Sequence, residues 1–94
     1  MSTLHLIRTS AYQQDDFKQC IALLQAGDKI VLLDDGCYNL THPLLNANIK
    51  HNVYHINEHA IARAMLENNN ISQAITLNEL TQLFFTVDKV ITWQ

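Results

Sequence analysis

The chain is poor in the residues that loosen a polypeptide: of 94 residues, two are Gly and one is Pro. That scarcity excludes collagen-like, low-complexity and disordered classes, and it predicts regular elements joined by short connections. Cysteine is scarce as well, with two residues and no C-x-x-C pair, so a disulfide scaffold is excluded and both thiols are expected to be free in a reducing compartment. Positive charge is low: 6 Lys and Arg stand against 9 Asp and Glu, for a net charge of −3. Without a basic field, direct binding to nucleic acid is not expected. No apolar run approaches the length of a membrane span, and Met1-Ser2-Thr3-Leu4-His5 lacks the charged-then-apolar pattern of a signal peptide. A cytoplasmic protein with no membrane contact is the expectation. Phosphate loops, dinucleotide glycine patterns and G-x-S-x-G elbows are missing too, so no cofactor is expected.

What is present is an ordinary globular composition, 48% hydrophobic and 16% charged, in a length that suits one domain over residues 1–94. The strongest local signal is Ile30-Val31-Leu32-Leu33, an unbroken apolar run leading into Asp34-Asp35-Gly36. A run without polar alternation predicts a strand covered on both faces, as in a parallel sheet, and the acidic turn predicts its exit. Cys37 follows at the carboxyl edge, where ligands gather in open α/β sheets.

Around this strand the pattern alternates. Leu4-His5-Leu6-Ile7 predicts a first strand leaving through Arg8-Thr9-Ser10. From Asp15 or Asp16, Phe17, Cys20, Ile21 and Leu24 recur at helical spacing, with Gly27 placed to stop the helix. Thr41 to Ala47 predicts one or two helical turns after Pro43, and Asn48 to Asn52 a polar turn. Val53 to Ile56 reads as a third strand, followed by a helix capped by Asn57, running to Leu66 and ended by Asn68-Asn69-Asn70. Ala74 to Leu77 reads as a fourth strand, and Asn78 as the cap of a helix with Leu80, Leu83, Phe84 and Val87 on one face. Val90 to Trp93 closes the chain as a fifth strand, its Trp suited to packing or a subunit contact. The rhythm predicts a three-layer α/β/α fold with a five-stranded, mostly parallel sheet. Strand order and the direction of the last strand do not follow from it.

Few residues offer chemistry. His51, His55 and His59 are spaced by four, but strand and helix divide them, so they cannot share a helical face, and no metal site is expected. Asp34 and Asp35 fit turn chemistry better than a catalytic pair, because adjacent residues of an extended chain point apart. They also stand to raise the pKa of Cys37, the reverse of what an activated thiol needs. Cys20 lies on the apolar stripe of the first helix, which predicts a small core residue.

Taken together, Leu4-His5 with Arg8-Thr9-Ser10, Ala26-Gly27-Asp28 before Leu32-Leu33-Asp34-Asp35-Gly36, Ile56-Asn57-Glu58 with Ile61-Ala62-Arg63, and the closing Trp93 resemble the TusB/DsrH family. The resemblance covers nearly the whole chain. It implies a DsrE-like fold and a place in a sulfur relay. Its TusB members assemble with the paralogues TusC and TusD, and the complex passes persulfide sulfur toward 2-thiouridine at the tRNA wobble position, on a cysteine of the TusD subunit. In DsrH members a cysteine of the first helix matches Cys20 by its distance to the Asp35-Gly36 turn, which makes Cys20 the candidate sulfur carrier. Cys37 matches no cysteine of the family pattern. Two roles are thus expected to compete: a non-catalytic partner of TusC- and TusD-like subunits, or a carrier that uses Cys20 beside DsrE- and DsrF-like subunits. A small-molecule binder at the strand edge is a third.

Overall fold

A computed structural model describes residues 2–46, 49, 52–65 and 71–94. Five strands, β1 (Thr3–Ile7), β2 (Lys29–Leu32), β3 (Asn52–Ile56), β4 (Ser72–Ile75) and β5 (Lys89–Trp93), form one sheet in the order β4-β3-β2-β1-β5. Every pairing is parallel, including that of β5, which runs beside β1 from Thr3↔Lys89 to Ile7↔Trp93. The predicted α/β fold is therefore present, with the apolar run at its centre: Ile30, Val31 and Leu32 are fully buried.

Strand order explains the layers. From β1 to β4 the chain steps one way across the sheet, whereas the last connection returns across it to β5. Right-handed crossovers of opposite sense lie on opposite faces. One face accordingly carries Ile7, Ile30, Leu32 and Val53 against Phe17 and Cys20 of α1 (Asp16–Leu23), Leu40 and Ala60. The other carries Leu4, Val31, Ile56 and Ile75 against Leu80 of α3 (Leu77–Phe84), with Leu83 and Val87 packed at its margin.

Several boundaries differ from expectation. The central strand ends at Leu32, and Leu33 opens a 3₁₀ helix over Asp34–Thr41 instead of a simple turn. Asp34 there takes φ 50°, a left-handed conformation that Asp tolerates better than most residues. The helical turns expected over 41–47 are not found among the described residues beyond Thr41, the last residue of this element, because residues 42–46 form turns and bends. Ala47 lies outside the described residues, as do Asn48, residues 50–51 and the Asn68-Asn69-Asn70 stop. The fourth strand lies two residues earlier than expected. Thr76, rather than Asn78, caps α3: its Oγ1 accepts from Glu79 N at 3.1 Å and Glu79 Oε1 accepts from Thr76 N at 3.0 Å. This is a reciprocal capping box, and it pulls the helix start forward. Phe84, expected on the buried face of α3, is 41% exposed.

Helix α2 (Asn57–Ala62) includes Asn57 in its first turn, with Ile56 before it as a cap that offers no side-chain bond, and it stops well short of Leu66. Met65 N donates to Ala60 O at 2.8 Å and Ala64 N to Ile61 O at 3.0 Å, the paired bonds of a Schellman stop. That stop needs a left-handed residue, and Ala64 supplies it at φ 55°. A left-handed L-residue costs roughly 1–2 kcal/mol, and the greater unfolded-state freedom of Gly offsets part of any relief. Ala64→Gly is expected to stabilise the chain by about 0.5–1 kcal/mol in denaturant unfolding. A loss of stability would mean that the turn does not form.

Candidate functional site

The two helical layers part company between β1 and β5, the place where open α/β sheets bind ligands at their carboxyl edge. Arg8 leaves β1 there. Its backbone N–H donates to Trp93 O at 3.2 Å, its Nη1 to Gln94 Oε1 at 2.9 Å, and its Nε to Asp34 Oδ2 at 2.8 Å. The next strand end continues the chain of contacts: Asp34 N donates to His59 Nδ1 at 3.0 Å, and Arg63 Nε donates to Asp35 Oδ1 at 2.9 Å. One polar ladder thus spans the ends of β5, β1, β2 and α2. Its Arg8–Asp34 pair is solvent-exposed, so it contributes about 0–1 kcal/mol and acts by positioning more than by stabilising.

Gly36 allows the edge to close. A Cβ there would lie 1.9 Å from Ile7 O, which already accepts from Leu33 N. Above it the β1–α1 connection is held by Asn39, fully buried, whose Oδ1 accepts from Ala11 N at 2.7 Å and whose Nδ2 donates to Thr9 O at 3.1 Å. A cleft of about 420 Å³ opens beside it, lined by Ser10, Tyr12, Gln13, Asp35 and Tyr38.

The thiols are not in that cleft. Cys37 stands at the expected edge but points inward, fully buried, with its Sγ donating toward Leu32 O at 3.6 Å and Ile56 O at 3.9 Å. Burial pushes its pKa up to about 11; Arg63 opposes the rise, while Asp34 and Asp35 add to it as the sequence suggests. Cys20 is fully buried in the cluster with Phe17, Ile30 and Leu32, and burial followed by the charge of Asp28 raises its pKa to about 12. A sulfur carrier needs an accessible thiolate, and neither cysteine presents one in this conformation.

The histidines disperse. His55 stays on β3 with its Nδ1 2.7 Å from Ser72 Oγ, and burial lowers its pKa, while His59 turns to the Asp34 loop. His51 lies outside the described residues. Among the described residues no group of three or more His, Cys, Asp or Glu could hold a metal ion. Sequence reasoning missed Arg8 and Arg63 as organisers of the edge, because each meets its aspartate across a gap of more than twenty residues. The signal that could have found them is their position just beyond β1 and just beyond α2, at the carboxyl side of the sheet.

The family described as DsrH like protein matches residues 9–90. Among solved structures, protein Tm0979 from Thermotoga maritima, determined by solution NMR, is similar with a TM-score of 0.70 and 24% identity over 89% of this chain and 92% of that one. At that identity the likeness speaks for the fold. No curated protein matches in sequence. Among the described residues no helix is long and apolar enough to cross a membrane. The family match spans most of the chain and includes the Asp34-Asp35-Gly36 edge, both cysteines and Arg63, so the chain belongs to the DsrH-like family of sulfur-relay subunits.

Proposed function

We propose that this chain is a non-catalytic subunit of a TusBCD-like sulfur relay complex in the cytoplasm, supporting 2-thiouridine formation at the tRNA wobble position while partner subunits carry the sulfur. The observation behind this reading is the full burial of both thiols. Persulfide transfer proceeds through an exposed, stabilised thiolate, and raised pKa values near 12 and 11 favour the inert thiol. A partner role also suits the surface: Phe84, Phe85 and Val90 are 41%, 85% and 43% exposed at the end of α3 and the start of β5, where TusC- and TusD-like paralogues would cover them. Contact with tRNA is left to other subunits.

The second reading makes the chain a DsrH-like carrier that uses Cys20 with DsrE- and DsrF-like partners, and the position of Cys20 on α1 favours it. In that case Cys20 must become accessible when the complex forms. Thiol labelling separates the two. In the isolated native chain neither cysteine is expected to react with a thiol reagent at neutral pH until denaturant is added. In the assembled complex, a persulfide donor should leave this subunit unmodified. Sulfur found on Cys20, and lost in Cys20→Ser, would transfer the role to the carrier reading. The assembly itself is tested by native mass measurement after co-expression with the paralogues. Deleting the gene should lower 2-thiouridine in bulk tRNA, and an unchanged nucleoside profile would remove the thiolation role.

A further inference from the structure

Trp93, the single tryptophan of the chain, meets a side chain from the opposite end of the sequence. Its Nε1–H donates to His5 Nδ1 at 3.1 Å, and His5 Nε2 lies 3.0 Å from Asp28 Oδ2. His5 is 3% and Asp28 5% exposed. An indole N–H can only donate, so Nδ1 carries the lone pair and the ring proton sits on Nε2, facing the carboxylate. Asp28 is completed by Thr3 N and Gln25 N, each at 3.1 Å. Burial alone would raise its carboxyl pKa, but the bonds from His5, Gln25 and Thr3 outweigh burial and hold it below the ordinary value.

This arrangement accepts the neutral ring only. A second proton, on Nδ1, would place two donors face to face with no acceptor between them. On the far side of the ring the same proton strengthens the contact with Asp28 by making it an ion pair. Gain on one side and loss on the other therefore act on the same imidazole. The remaining titratable groups near it are Cys20 of α1, which feels the charge of Asp28, and Lys89 of β5, which lines the same cavity. Lys89, His5, Asp28, Trp93 and Leu23 line a cavity of about 300 Å³ that gives the indole room to move.

We infer that Trp93, His5 and Asp28 form a proton-operated latch, in which neutral His5 holds the tryptophan of β5 and protonated His5 releases it while keeping Asp28. Imidazole is the side chain suited to switch between about pH 5 and 8. Release would also loosen the end of β5 that Arg8 grips through Trp93 O and Gln94, so the latch couples proton concentration to the polar ladder of the carboxyl edge.

The lone tryptophan makes the test direct. Between pH 8 and pH 5, emission should weaken and shift to the red, and the indole N–H resonance should leave its hydrogen-bonded position, with far-UV circular dichroism unchanged. In His5→Gln, whose amide can accept from the indole but does not titrate, both signals should stay flat. If that variant does not fold, the His5 ring nitrogen resonances of the native chain serve instead: the Nδ1 signal should take up its proton in step with the indole shift. A fixed indole signal across the range overturns the latch. So does a transition that persists in folded His5→Gln, or one that coincides with loss of the far-UV signal.

Discussion

Leu32→Asp is expected to abolish cooperative folding. Leu32 is fully buried in the middle strand and packs in the same cluster as Phe17, Ile7 and Val53. An aspartate there loses the leucine packing and places a carboxylate with no cation or donor arranged to receive it. Several kcal/mol is the expected cost, against a total stability of about 5–15 kcal/mol for a domain of ordinary size and less for a small one. Circular dichroism should show no cooperative thermal transition, and an amide correlation spectrum should collapse to narrow dispersion. Ile61→Asp provides the comparison, because Ile61 is 55% exposed on α2 and its replacement should stay within about 1 kcal/mol of the native chain. A Leu32→Asp protein that melts cooperatively would mean that the central strand is wrongly placed.

Gly36→Ala should be the most damaging change that adds a single methyl group. The added Cβ would lie 1.9 Å from Ile7 O and 2.8 Å from Ile7 C, and both are backbone atoms of a strand held on two sides. Neither can rotate away, so β1 and the 3₁₀ helix must separate. Overpacking of side chains costs about 1–3 kcal/mol, and a backbone clash belongs at or above the top of that range. For a domain of this size about 3 kcal/mol corresponds to a drop in Tm of roughly 10–20 °C. Gly27→Ala isolates the other use of glycine. Gly27 has φ +89°, and a Cβ there would meet Ser2 Cβ at 3.9 Å, an ordinary contact distance, so only conformational strain of roughly 1–2 kcal/mol is expected. If Gly36→Ala melts within a few degrees of the native chain, the close approach of the two backbones is not real.

The elements were legible wherever one local rule settled them. Ile30 to Leu32 declares a doubly covered strand because no polar residue interrupts it, and Phe17 and Cys20 declare their helix by spacing alone. Errors arose where two local rules competed. Asn78 looked like a cap, yet Thr76 with Glu79 forms a capping box and satisfies two orphan donors instead of one. Asn57 and a run of good helix formers promised α2 as far as Leu66, but the left-handed Ala64 ends it with a pattern normally signalled by Gly. The polar ladder and the His5 cluster were illegible for a different reason. Their partners come together only after the strand order is set, and that order places β5 beside β1 although the alternating rhythm suits several orders equally. Burial of Cys20 was readable from its stripe, whereas the inward turn of Cys37 depends on the 3₁₀ helix that follows β2.

The pairing of β1 with β5 also bears on how the chain reaches this state during folding. Contacts such as Ser2 with Asp88 and Arg8 with Gln94 join residues 86 apart, close to the longest separation the chain offers. Such non-local closures are slow, because the loop entropy is lost before the contact rewards it. Until β5 docks, β2, β3 and β4 can already assemble on β1, but the outer edge of β1 stays open, with Leu4 and Ile7 on the strand behind it. Unpaired edges of this kind invite pairing with other chains. The folding chain is therefore expected to be most vulnerable to aggregation in the interval before β5 docks on β1.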